Sequence, residues 1–265
     1  MPAARKTPTT DPRARAVAWR HAQQAVLATR IEPWAYGSVL RTPLAPDWWE
    51  VNLVRLEVPA PELDARELIE MVDVLQRDMR HRKLAIEDEA TGERLRADFR
   101  RAGWLDERLV AMLRDGAPPQ APEGVVELPF PETRALRLEW HHQHDWGDDD
   151  ALHMESAELV AERNGDRAFA IVDDGEPIGF VSVFSPPGFD GAEIDQAYVT
   201  PAHRGRGLGS KLIAGALAAV GQQSNWIVAD DEDRPRHLYE RLGYVPAWRR
   251  YEFTRLPPAK SVAAR

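Results

Sequence analysis

The chain has 265 residues, enough for one large or two small domains, and 43% hydrophobic content with nine tryptophans supports packed cores. It contains no cysteine, which excludes a disulfide framework, a thiol nucleophile and a Cys-type zinc site. The formal charge of -9 argues against nonspecific nucleic-acid binding, which needs a basic footprint, and favours a cationic substrate.

Residues 1–13 read as a disordered N-terminus: Met1 to Asp11 is rich in Pro, Thr and Ala and has no apolar core for export. No apolar run approaches the ~20 residues that cross a membrane. The expectation is a cytoplasmic protein, monomer or homodimer, with neither a membrane nor a nucleic-acid partner. Glu50 to Val58 reads as a strand and Leu63 to Met79 as an amphipathic helix. Leu95 to Trp104 reads as a helix stopped at Gly103, with Trp104 opening a strand. Asp115 to Gly124 is proline-rich and reads as a linker, which sets boundaries at 14–114, 115–126 and 127–257, with a tail at 258–265.

In the second half, Arg134 to Trp140 alternates like a half-buried strand and Asp149 to Arg163 has helical spacing. Ala168 to Val172 and Pro177 to Phe184 are apolar runs joined by Asp-Asp-Gly-Glu, a hairpin signal. Then come a strand Ala192 to Val199, a helix Leu208 to Val220 and a strand Asn225 to Ala229. A helix around Leu238-Tyr239 and strands around Tyr244 and Arg249 to Thr254 complete the order.

Between strand 192–199 and helix 208–220 lies Arg204-Gly205-Arg206-Gly207-Leu208-Gly209. Glycines let the backbone approach a ligand and adopt positive φ. The first-turn N–H groups of the helix then face outward with the dipole behind them, and Arg204 and Arg206 add charge, which suits a pyrophosphate. The order Gly209-Ser210-Lys211 fails the Walker ending, and Gly205-x-Gly207-x-Gly209 has the wrong interval for a dinucleotide fingerprint.

The pattern R-x-x-G-x-G, within Glu193 to Gly209, resembles the coenzyme A motif of the GNAT superfamily of N-acyltransferases. Arg236 to Tyr244 resembles the superfamily's second signature, a Leu-Tyr helix ending in Gly-aromatic; it departs from it at Glu232 and Pro235, where Asn and Ala are frequent. The resemblance implies an α/β fold of two GNAT-like domains, each a mixed central sheet flanked by helices. It also implies acetyl-CoA as co-substrate, no metal, and transfer of acetyl to a primary amine of a small molecule by direct attack in a ternary complex. A non-catalytic acyl-CoA sensor is the alternative. Phe99, Gly103 and Trp104 can be laid on Tyr239, Gly243 and Tyr244, so the N-terminal half reads as a degenerate GNAT-like repeat. Its turn is Pro-Ala-Pro-Glu, without glycine or arginine, and cannot cradle pyrophosphate.

Acyl transfer to an amine needs a neutral nucleophile, a polarised carbonyl and a proton for the leaving thiolate. The resemblance implies that backbone at Ala197, Tyr198 and Val199 aligns the pantetheine arm, and that Arg204, Gly205, Arg206, Gly207, Leu208, Gly209 and Ser210 form the cradle. It implies Tyr239 as general acid and Glu193 as general base, with Asp195 as the other candidate base. Alternation puts Glu193, Asp195 and Ala197 on one face of the strand, with Ile194 and Gln196 on the other. His141, His142 and His144, with Asp145 and Asp148 to Asp150, do not share a helix face and read as a solvated loop bordering the acceptor pocket rather than a metal site. Asp230 to Asp233 reads as a helix cap.

Overall fold

A computed structural model describes residues 10–143, 150–185, 191–232 and 235–257. Helix α1 (Pro12–Leu27) opens it, with Asp11 accepting from the amides of Arg13 and Ala14 and proline in the first turn, where its missing N–H leaves no gap. Pro12 and Arg13 are therefore helical, inside the segment expected to be disordered.

Strands β1 (Arg30–Trp34) and β2 (Gly37–Arg41) form a hairpin, followed by β3 (Val54–Leu56), α2 (Ala65–Leu75), β4 (Arg82–Ile86), α3 (Glu89–Arg101) and β5 (Leu105–Asp115). The expected strand over 50–58 is thus only three residues long, because a 3-10 turn at Trp49–Val51 interrupts it. Beyond the linker lie β6 (Val126–Leu128), α4 (Arg134–His141), α5 (Asp150–Asn164), β7 (Arg167–Asp173) and β8 (Glu176–Phe184). Then come β9 (Ala192–Val199), α6 (Leu208–Val220), β10 (Ser224–Asp230), α7 (Pro235–Arg241) and β11 (Val245–Arg255).

The strand expected over 134–140 is helix α4. Its pattern satisfies both periods, and the helical one wins because Leu136 and Trp140, one turn apart, both pack on Phe180 and Tyr198. The β7–β8 hairpin turns through Asp174 and Gly175, both at positive φ, which matches the twist of the flanking strands.

All strands form one sheet, in the order β1-β2-β3-β4-β11-β5-β10-β9-β8-β7-β6. The order is a strand exchange. β5, the last strand of the N-terminal half, pairs with β10 of the second half, and β11, the last strand of the second, pairs with β4 of the first. β5 and β11 lie antiparallel at the centre, with a bulge between Pro246 and Trp248. The expected domain boundaries therefore do not divide the sheet, since each half's strand set is completed by the other's final strand.

The halves are built alike at their last helix. Trp104 N–H donates to Phe99 O at 3.0 Å and Tyr244 N–H to Tyr239 O at 3.1 Å, while Gly103 and Gly243 sit at φ 78° and 87°. Both helices close with the left-handed glycine turn that the sequence alignment of the two segments anticipates.

One face of the sheet carries α2 and α3 over a core including Leu68, Leu84, Phe99 and Phe253, and α6 and α7 over a second core including Ile194, Leu212, Ile227 and Tyr244. The other face carries α1, whose Ala16 and Trp19 pack on Leu113, Phe184, Trp226 and Trp248 from strands of both halves.

Candidate active site

The site grows from the parallel pair β9–β10. The ladder between them has only three rungs, Asn225–Ala192, Trp226–Glu193 and Ile227–Ile194. Beyond Ile194 the strands separate: Gln196 to Val199 stay on β8, and Val228 to Asp230 stay on β5. Each strand is held by its outer neighbour, so the gap between them leaves backbone amides and carbonyls of 195–199 facing a cleft. A buried backbone without partners is costly, and a ligand with amide groups of its own can supply them.

At the point of separation β9 bulges. Its partners on β8 jump from Ser182–Gln196 to Val183–Ile194, which leaves Asp195 as the extra residue. The bulge corrects the expected alternation. Ala197 and Val199 turn to the α6 side with Ile194, whereas Tyr198 turns to α4. Glu193 is buried on the α1 side, where the Trp19 indole N–H donates to its carboxylate.

Where the cleft ends, Gly205 and Gly207 both sit at φ 76°, and a Cβ at either would meet nothing within 4 Å, so the turn is open to an approaching group. Gly207 is the N-cap of α6 and no side chain caps that helix. The first-turn amides of Leu208, Gly209 and Ser210 therefore remain available to an anion. A Cβ at Gly209 would lie 3.6 Å from the Leu238 side chain of α7, so this position faces α7 with room for a methyl group. Arg204 does not reach over the turn as expected. Its guanidinium donates to Val199 O at 2.9 Å and Gln143 Oε1 at 2.9 Å and lies over the Tyr198 ring, tying the end of β9 to α4. Arg206 is exposed.

The N-terminal half offers the contrast. β3 and β4 stay paired to the end of β3, and Glu87 N–H extends the ladder to Leu56 O at 3.0 Å. The start of α2 is closed by a capping box, with Glu67 N–H donating to Asp64 at 2.8 Å and Asp64 N–H to Glu67 at 2.9 Å. Among the described residues of this half the β3–β4 pair does not part, and the starts of α1, α2 and α3 are each capped by an aspartate.

Of the candidate catalytic residues, Tyr239 lies on α7, half-buried, with its ring edge-on to Tyr244 at 6.3 Å. It stands on the opposite face of the sheet from Glu193. Asp195 lines a cavity of about 40 Å³ whose walls come from α1, the 48–51 turn, α5 and β9. The Asp195 side chain is solvent-exposed, although protein crowds around it. That crowding, with Glu193 adding negative charge and Arg20 opposing, pushes the Asp195 carboxyl up to about 6. Asp166, half-buried, is pushed well above the ordinary carboxylate range by loss of hydration and by Asp195.

Sequence reasoning missed the cavity's other half, Arg20 and Gln24 on α1 and Asn164 on α5. The signal for α1 is Asp11-Pro12 followed by Ala16, Trp19 and Gln23 at helical spacing, a helix start and one buried face.

Glu232, where the second signature has Asn, forms a two-pronged ion pair with Arg96 of α3 at 2.7 and 2.6 Å. Asp231 is a buried ionic node rather than a cap, accepting from Arg236 and Arg249 at 2.8 Å each. His141, expected in a solvated loop, is buried on α4 and stacks on His153 at 3.8 Å, and His153 stacks on Trp48. His142 contacts Asp150 at 2.8 Å. His144, Asp145, Asp148, Asp149 and Asp233 lie outside the described residues. Among the described residues no group of three or more His, Asp or Glu side chains is placed to hold a metal ion.

Residues 129–244 match the acetyltransferase (GNAT) family. The match takes in the separating strands, the bulge and the glycine turn. Two solved structures share the fold over nearly the whole chain. A conserved protein of unknown function from Staphylococcus epidermidis is 15% identical, with a TM-score of 0.70 over 88% of this chain and 96% of its own. A GCN5-related N-acetyltransferase from Kribbella flavida is 18% identical, with a TM-score of 0.58 over 97% of this chain and 99% of its own. No curated protein matches the sequence.

Proposed function

Starting from the GNAT acetyltransferase domain at residues 129–244, we propose that the chain transfers acetyl from acetyl-CoA to a primary amine of a small molecule by direct attack. The observation that carries this reading is the coincidence at one place of the parted β9–β10 pair, the Asp195 bulge and the uncapped start of α6. The open turn at Gly205 and Gly207 fits a pyrophosphate, and the unpaired edge of 197–199 fits the amides of a pantetheine arm.

In the transfer, the neutral amine nitrogen attacks the thioester carbonyl carbon, a C–N bond forms and the C–S bond breaks. Asp195 takes the amine's proton and Tyr239 gives its phenolic proton to the departing sulfur. The structure favours Asp195 over Glu193 as the base: Glu193 is buried and held by Trp19, whereas Asp195 opens onto the cavity with a carboxyl near 6. A base with this pKa is mostly ionised at neutral pH and returns its proton to solvent readily. The N-terminal half, with its closed β3–β4 pair, serves as a degenerate GNAT-like scaffold and as one wall of the acceptor site.

Thiol release from acetyl-CoA over a panel of primary amines tests the reading, with calorimetry of acetyl-CoA binding alongside. Binding with turnover is expected. Binding without turnover of any amine would make the protein a sensor, and no binding at all would remove the assignment.

A further inference from the structure

Once β9 and β10 part beyond Ile194, the last residues of β9 keep a strand neighbour on one side only. Thr200 N–H donates to Ile178 O of β8 at 3.0 Å, so by the alternation of a strand the Val199 amide and carbonyl point the other way, into the gap. In the N-terminal half the carbonyl at the end of β3, Leu56 O, accepts from Glu87 N–H just past the end of β4. In the second half the neighbouring strand has withdrawn, and a side chain takes its place: Arg204 Nε donates to Val199 O at 2.9 Å.

The same guanidinium reaches a second element. Its Nη2 donates to Gln143 Oε1 at 2.9 Å, and Gln143 Nε2 donates to the Tyr198 hydroxyl at 2.6 Å. Gln143 follows the end of α4, while Tyr198, on β9, is 4% exposed. The guanidinium carbon stands 5.4 Å from the centre of the Tyr198 ring. Arg204 and Gln143 are both exposed, where a single polar contact contributes little against the entropy of a long side chain, so it is the closed set of contacts that fixes them. A planar fork can serve Val199 O and Gln143 Oε1 in one plane and lay its face on Tyr198; the point charge of a lysine cannot. The place of Arg204 is thus set by β9 and α4, and the glycine turn that follows it is left to its own backbone amides.

We infer that Arg204 is a positioning residue, which with Gln143 holds the free end of β9 in the shape that receives the pantetheine arm and ties that edge to α4. This rests on the acetyl-CoA reading above and deepens it. Because Val199 O is already taken, the edge offers the arm Ala197 and the Val199 amide, and Arg204 fixes where that edge stops. The link also joins the cofactor edge to the helix that covers the same stretch of β9 from the opposite face to α6.

The test is a cycle of acetyl-CoA dissociation constants by calorimetry on the full chain, with Tm recorded for each variant. Arg204→Lys, which keeps the charge, and Gln143→Met, which leaves the arginine, should each raise Kd about tenfold, the effect of losing a hydrogen bond to a charged group. The double variant should be no more than about twofold weaker than either, since both changes break one link. Gln143→Glu still accepts from Arg204 and should restore Kd to within about threefold of the wild type, with Tm unchanged throughout. An unchanged or tighter Kd in Gln143→Met would overturn the inference, because Arg204 would then leave its partners to bind the phosphates. A wild-type Kd in Arg204→Lys, a double variant about a hundredfold weaker, or a Gln143→Glu no better than Gln143→Met would overturn it as well. A lowered Tm with Kd unchanged would make the link structural only, again against the inference. Failure of the wild type to bind acetyl-CoA would remove the acetyl-CoA reading itself.

Discussion

The Lys83 ammonium on β4 lies 2.6 Å from a carboxylate oxygen of Glu252 on β11, so a buried ion pair joins a strand of the first half to the last strand of the second. Arg250 donates to the other oxygen of Glu252 at 2.8 Å, and Lys83 also reaches Glu50. All this charge lies beneath α1, on the face of the sheet that continues into the cavity at Asp195. Although burial alone would raise it, Lys83, Arg250 and Arg20 hold the Glu252 carboxyl well below its ordinary range. Its contribution to stability is present above the unfolded carboxylate pKa and is lost only as pH falls towards the depressed folded value.

Glu252→Gln should therefore destabilise the chain by about 3 kcal/mol at pH 7, because it leaves the cations of a buried network undercompensated. Urea unfolding of wild type and variant at pH 7 reads this directly. Equal midpoints would show that the network contributes nothing net.

The strand exchange makes a second prediction. Residues 127–265 alone leave β11 without β4 and β5, and leave β10 without β5. This fragment should lack a cooperative thermal transition by circular dichroism, whereas the full chain melts in one step. A cooperatively folded fragment would mean that β11 can pair with β10 directly.

The cradle is tested by charge at one backbone position. Acetyl-CoA at one hundred times its Kd should stabilise the wild type by about 2.7 kcal/mol, a rise of a few degrees in Tm. Gly207→Asp places a carboxylate where the pyrophosphate is to sit and should abolish the rise. Gly207→Asn meets the same left-handed backbone, which Asn tolerates, without the charge, and should keep most of it. A shift surviving in Gly207→Asp would place the phosphates elsewhere.

Asp195 carries the pH dependence. Its carboxyl is raised from 3.8 to about 6 in the folded chain, so the folded state holds this proton more tightly than the unfolded one. Stability from this group is thus greatest at low pH and falls as pH rises from about 4 through about 6. Asp195→Asn should melt above the wild type at pH 7.5 and level with it at pH 4. The wild-type kcat should fall tenfold per pH unit below about 6, and that limb should be absent from the weakly active variant. A wild-type profile flat from pH 5 to 7 would remove Asp195 as the base.

Much of this was legible in the sequence where the signal is local. β9 and α6 occupy the expected residues, because an apolar run, a glycine turn and a second apolar run leave little choice between Ala192 and Val220. The closing turns at Gly103 and Gly243 were equally plain, since only glycine adopts that φ at no steric cost. What strict alternation could not carry was an extra residue: the bulge at Asp195 reverses the facing of Ala197 and is set by the pairing with β8, a separate strand. The helix at 134–141 was hidden by a short pattern compatible with both periods. The exchange of β5 and β11 is a long-range choice between two similar strands, each 11 residues long, and no window of sequence contains both.

Tyr239 closes the set, because its two roles separate cleanly. Its ring packs edge-on to Tyr244, whose own hydroxyl is buried and whose proton is held by that burial, which makes Tyr244 a poor proton donor. Tyr239→Phe keeps the ring and removes the proton. If the hydroxyl protonates the departing sulfur, kcat should fall about 100-fold while Tm and the acetyl-CoA-induced shift stay as in the wild type. The loss should shrink for acetyl donors whose thiol is more acidic, since a better leaving group needs the proton less. A variant with lowered Tm and unchanged kcat would instead make Tyr239 a packing residue, and the proton would have to come from solvent entering through the parted strands.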